Sequence, residues 1–107
     1  MSEDFTYRSA LKHHHVAAFD FIMAQLDLGI TYCELAGLSE DTETIRRNAV
    51  HARKLFDSAT RHRQQIEFTK RENREVLRKS ALLKSLMSQI TQRLYSLAAS
   101  EPAGASV

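Results

Sequence analysis

Apolar side chains recur along most of this chain at steps of three and four, the spacing that gathers residues on one side of a helix turning about 100° per residue. With Phe19 as the origin, Val16, Ile22, Met23, Leu26, Ile30 and Cys33 all fall within about 60° of it. That stripe predicts a first helix over about residues 6 to 36. Gly37 follows, at a point where helices commonly end in a left-handed residue. The next stretch, residues 38 to 44 (LSEDTET), supplies side chains that accept hydrogen bonds from the free N–H groups of a first turn. Its acids also suit the positive end of a helix dipole. A second helix is expected from Thr42 to about Ile66, with the stripe Ile45, Ala49, Ala52, Phe56, Ala59, Arg63 and Ile66. The alanines would let a neighbouring helix approach closely.

Thr69 and Glu72 have capping-box spacing, in which each side chain satisfies the other residue's backbone donor. From there Val76, Ser80, Leu83, Met87, Ile90, Leu94 and Leu97 alternate by three and four, a coiled-coil-like seam widened by Leu77, Leu82, Leu86 and Tyr95. A third helix is predicted from Lys70 to about Ala99, followed by a disordered small-residue tail over 100–107. Three amphipathic helices with short connections predict an all-α fold: one domain over about residues 6 to 99, an up-down-up antiparallel bundle.

Composition supports this reading. Only three Gly and one Pro occur in 107 residues, and the Pro lies in the tail. The single cysteine, Cys33, cannot form an intramolecular disulfide, which points to a reducing cytoplasm. The first residues lack the basic region and apolar run of a secretory signal, and no 18 apolar residues run together, so neither secretion nor membrane spanning is expected. Charge is unevenly placed. Residues 1 to 45 carry two basic and eight acidic side chains, a balance of −6, whereas residues 46 to 107 carry thirteen and five, a balance of +8. An acidic first helix beside basic second and third helices would neutralise this internally.

Two fragments, Leu28-Gly29-x-x-Tyr32 and Ala52-Arg53-Lys54-Leu55-Phe56-Asp57-Ser58-Ala59, resemble the signature of a tetratricopeptide repeat. The pattern occurs once, with more residues between its halves than the repeat usually has. The resemblance therefore implies a stand-alone helical hairpin closed by a third helix, a protein-interaction scaffold without catalytic residues or cofactors. Independently of the resemblance, Gly29 costs about 1 kcal/mol relative to Ala inside a helix. It is expected to mark a close approach by another backbone.

Three histidines, His13, His14 and His15, invite a metal-site reading, but consecutive helical residues point about 100° apart and cannot ligate one ion together. His15 lies nearest the stripe. If it is buried and neutral, charging it below about pH 6 to 6.5 should loosen the first helix. His51 and His62 lie eleven residues apart, too far to share an ion, and Cys33 reads as a small core residue. No phosphate loop, carboxylate pair or nucleophile motif appears, so no enzyme activity is expected.

Two binding surfaces remain. Residues 60 to 79 carry seven basic side chains against three glutamates; Arg71, Arg74 and Arg78 share a face that could contact phosphates, an anion or nucleic-acid site. The interspersed acids suggest instead a solvated face of helical pairs such as Glu75 with Lys79. Leu82, Leu86 and Tyr95 exceed what a bundle seam needs and are candidate contacts for a protein partner or a second copy. A protein-interaction role is the first expectation, through this surface or a groove between the first two helices. Nucleic-acid binding is the second.

Overall fold

A computed structural model describes residues 2–100, with side chains from His14 onward. Of the tail expected over 100–107, Ser100 is the last residue of the third helix, and residues 101–107, like the side chain of His13, lie outside the described residues. Three helices run in order: α1 (Ser2–Leu38), α2 (Thr42–Gln64) and α3 (Lys70–Ser100). They pack pairwise into an all-α, up-down-up bundle. Phe21 meets His62 and Tyr32 meets His51, so α1 and α2 are antiparallel; His15 meets Glu72 and Ala36 meets Arg93, so α1 and α3 are parallel.

The core is a set of rows at steps of seven. Ile45, Ala52 and Ala59 come from α2, Val76, Leu83 and Ile90 from α3, and Ile22, Gly29 and Ala36 from α1, with Leu26 and Cys33 beside the last row. A seven-residue repeat keeps one seam of each helix facing inward along its length. Full burial of each large aliphatic side chain contributes about 1.5–3 kcal/mol. Val16, placed in the inward stripe by periodicity, is instead exposed.

Local capping sets the starts of α2 and α3. The Asp41 carboxylate accepts the Thr44 backbone N–H at 3.1 Å and the Thr44 hydroxyl at 2.6 Å. At α3, the Thr69 hydroxyl accepts the Glu72 N–H at 3.1 Å and Glu72 Oε1 accepts the Thr69 N–H at 2.9 Å, the expected reciprocal box.

The ends of α1 and α2 differ from expectation. Gly37 is not a left-handed cap: among the described residues no glycine has positive φ, and α1 continues through Leu38. Its last turn is instead bound from another helix, as Arg93 of α3 donates to Ala36 O at 2.9 Å and Gly37 O at 3.2 Å, and to Ser39 O just beyond the helix at 2.7 Å. A guanidinium there also meets the negative end of the α1 dipole. Helix α2 stops at Gln64, two residues short of Ile66. Had it continued, Phe68 would stand about 160° from Ala52, facing solvent. The turn brings Phe68 back onto the core, edge-on to Phe19 at 5.8 Å between ring centroids.

Because His15 is level with Glu72 and Ala36 with Arg93, α1 before His15 runs past the α2–α3 turn and α3 after Arg93 runs past the α1–α2 turn.

Candidate functional site

Among the described residues no group of three or more His, Cys, Asp or Glu side chains is arranged to hold a metal ion. His14 is exposed, while His15 turns inward, its Nε2 lying 2.9 and 3.1 Å from the Glu72 carboxylate oxygens and its ring edge-on to Phe68. His51 stacks on Tyr32 at 4.9 Å and His62 meets Phe21 edge-on at 5.3 Å. Because a carbonyl only accepts, the His62 Nδ1 that lies 2.7 Å from Ser58 O carries the proton. Both histidines thus serve the α1–α2 seam.

The partner of His15 overturns the expectation that charging it loosens α1. A charged ring would gain an ion pair with Glu72, so the loosening has no basis in this arrangement. The relevant titration is that of the acids. The Thr69 backbone N–H, and then the His15 ring, hold the Glu72 carboxyl below its ordinary 4.5; the Thr44 hydroxyl, and then its N–H, hold Asp41 below its ordinary 3.8. A carboxyl lowered in the folded state contributes stability that is complete above its unfolded value and lost as pH falls through the folded one. Stability should therefore fall from about pH 5 downward. In melts from about pH 7 to 3, Glu72→Gln should start below wild type and decline less steeply; two parallel profiles would contradict this.

Cys33 is buried against the core, and burial followed by the nearby Glu34 pushes its thiol up. That is the environment of a packed hydrophobe, since reactivity needs the thiolate.

Arg71, Arg74 and Arg78 share an exposed side of α3, where with Leu77 and Glu75 they line a shallow hollow. Arg71 lies 4.0 Å from Glu75. Lys79 does not pair with Glu75, as its helical spacing suggested, but crosses to Asp27 of α1; it is half-buried at the α1–α3 seam, where the interhelical acid is nearer. Leu82, Leu86 and Tyr95 do not form one surface. Leu86 packs against the core, Leu82 is half exposed, and Tyr95, 73% exposed, stands about 140° around the helix from Leu82.

The larger apolar surface is elsewhere, on α1, and the single-stripe reading missed it. Ala17, Phe21, Ala24, Leu28, Thr31, Leu35 and Leu38 are all exposed. Phe21, Leu28 and Leu35 keep 51, 46 and 48% of their surface in water. Their spacing alternates by four and three without a break, a second seam on the side of α1 facing away from α3. That alternation was the signal available in the sequence. It was masked because α1 is apolar on both sides, so a wheel centred on Phe19 captures only half of it.

Two charged rows border the seam. Asp20, Asp27 and Glu34, at steps of seven on α1, run along the edge towards α3. Arg47, Lys54 and Arg61, also at steps of seven, are exposed on α2 along the opposite edge. Segment His14–Leu38 is long enough, and with mean hydropathy 1.3 apolar enough, to meet the length and composition of a membrane span. Its inner face is bundle core, and each of its three acids would cost about 2.5–3.5 kcal/mol near a bilayer centre. Comparison with protein-family models, curated proteins and solved structures finds no match to this chain.

Proposed function

We propose that this chain is a non-enzymatic helical protein–protein interaction module of the cytoplasm, an adaptor or self-associating scaffold. The observation that carries the reading is the second apolar face of α1. From Ala17 to Leu38 it extends about 30 Å at about 1.5 Å per residue. Exposed apolar surface of that length, bordered by charge, is characteristic of protein contacts. The tetratricopeptide-like fragments point the same way, since Leu28 lies on this face and Tyr32 at its α2 edge.

A photo-crosslinking side chain at Leu28 tests the reading. In cells it should give discrete protein adducts, while the same side chain at Ser88, exposed on α3, should give none. Equal labelling at both positions, or none at either, would count against an interaction face on α1.

A second reading, anion or nucleic-acid binding, is favoured by one observation: among the described residues Arg74 and Arg78 make no ion pair, although acids lie nearby on the same helix. Binding to a short nucleic acid that weakens steeply with salt and is lost in Arg71→Gln/Arg74→Gln/Arg78→Gln would support it.

A further inference from the structure

We infer that the occupant of the outer α1 face is the same face of a second copy, the two α1 helices lying parallel about a two-fold axis that runs along them. The inference rests on the interaction-module reading and names its partner. A seam from Ala17 to Leu38 spans about three heptads, the length over which such a pattern specifies helix pairing.

Charge decides the partner and the orientation. A two-fold axis perpendicular to the helices would make them antiparallel and bring the Asp20, Asp27 and Glu34 row of one copy onto the same row of the other. Like charges would then face each other along the whole seam. An axis along the helices exchanges the two borders, so the acidic row of each copy lies beside the basic Arg47, Lys54 and Arg61 row of the other. The levels agree as well. The antiparallel register of α1 and α2, fixed by the Phe21–His62, Gln25–Ser58 and Tyr32–His51 pairs, puts Arg61, Lys54 and Arg47 level with Ile22, Gly29 and Ala36. Each is thus two residues, about 3 Å, from the level of Asp20, Asp27 or Glu34.

Arg61 therefore faces Asp20 of the second copy, Lys54 faces Asp27, and Arg47 faces Glu34. Among the described residues none of the three bases is ion-paired within its own chain, nor are Asp20 and Glu34, whereas Asp27 also holds Lys79 and keeps an exposed side. The same exchange sets the bulky row of one copy, Phe21, Leu28 and Leu35, over the small row of the other, Ala17, Ala24 and Thr31. Helix α3 lies on the far side of α1 and does not obstruct the approach.

The purified 107-residue chain in sedimentation equilibrium should have twice the 12.2 kDa chain mass. Leu28→Glu should be monomeric with unchanged helical circular dichroism. Arg47→Glu/Arg61→Glu should weaken the dimer at least about tenfold, and adding Asp20→Arg/Glu34→Arg should restore it. Leu35→Cys should oxidise to a covalent dimer, because the two copies of position 35 meet only in the parallel arrangement. A strict monomer up to about 0.5 mM, where even weak pairs associate, overturns the inference. So does a dimer unaffected by the charge reversals, or one in which position 35 crosslinks to Phe21→Cys but not to itself. Monomeric wild type that binds phosphatidylcholine vesicles overturns it in favour of a lipid surface. A monomer that still gives discrete adducts from position 28 in cells removes self-pairing and leaves the interaction-module reading standing; a monomer with no adducts removes both.

Discussion

Gly29→Leu should lower the stability of the folded chain by about 3 kcal/mol, because the position has no room for a side chain. A Cβ built on Gly29 comes within 2.7 Å of Leu83 Cδ2 and 3.3 Å of Cδ1, and Leu83 is itself fully buried. Four added carbons would force Leu83 off its rotamer or push α1 and α3 apart. For a domain of this size the melting temperature should fall by more than about 10 °C. Gly29→Ala separates the two opposing effects. The added methyl gains about 1 kcal/mol of helix propensity but meets Leu83, so the net change should be near zero. In a Leu83→Ala background, which alone should cost about 2–5 kcal/mol, the same Gly29→Ala change should become stabilising by about 1 kcal/mol. Urea titrations of the four chains give this cycle directly. A Gly29→Leu chain that melts with wild type, or a Gly29→Ala effect that is the same in both backgrounds, would show that Leu83 does not limit the site.

Arg93→Ala should cost about 2 kcal/mol, discounted for the partial exposure of the side chain from what three charge-assisted hydrogen bonds could contribute. The guanidinium spans the carbonyls of Ala36, Gly37 and Ser39, of which, among the described residues, only Ala36 O has another partner, the Ser39 N–H at 3.4 Å. Arg93→Lys keeps the charge at the helix terminus but loses the fork, and should recover less than half of the loss. Chemical denaturation measures the totals. Amide exchange adds the location: the last turn of α1 should open more readily in Arg93→Ala, with the centre of α2 little changed. A variant within about 0.5 kcal/mol of wild type would mean that water caps α1 equally well.

The two variants act at points the sequence treated differently. Gly29 stood out as a helical glycine with a close neighbour, but the neighbour is a side chain of α3 and not a backbone. Arg93 did not stand out, because its acceptors lie 54 to 57 residues away and an arginine late in a helix has many uses. The candidate contacts divide in the same way. Arg71, Arg74 and Arg78 share a face because three- and four-residue steps on one helix guarantee it. Leu82, Leu86 and Tyr95 lie on that helix too, but their exposure depends on what α1 and α2 cover, and they separate.

What the amino-acid sequence determined by itself was local. The starts of α2 and α3 follow from hydrogen bonds closing over three residues at Asp41–Thr44 and Thr69–Glu72, and the inward rows of α2 and α3 follow from heptad spacing. Tertiary structure decided what depends on a partner distant in the chain. It chose which of two apolar stripes of α1 became core, gave Lys79 to Asp27 and not to Glu75, ended α2 early so that Phe68 could close the core, and closed α1 with Arg93 in place of Gly37. The physical reason is range: capping and helical periodicity are complete within one or two turns, whereas burial is settled only when another helix covers a face. On α1 two faces were apolar enough to be covered. The bundle covers one and leaves the row of Phe21, Leu28 and Leu35 in water.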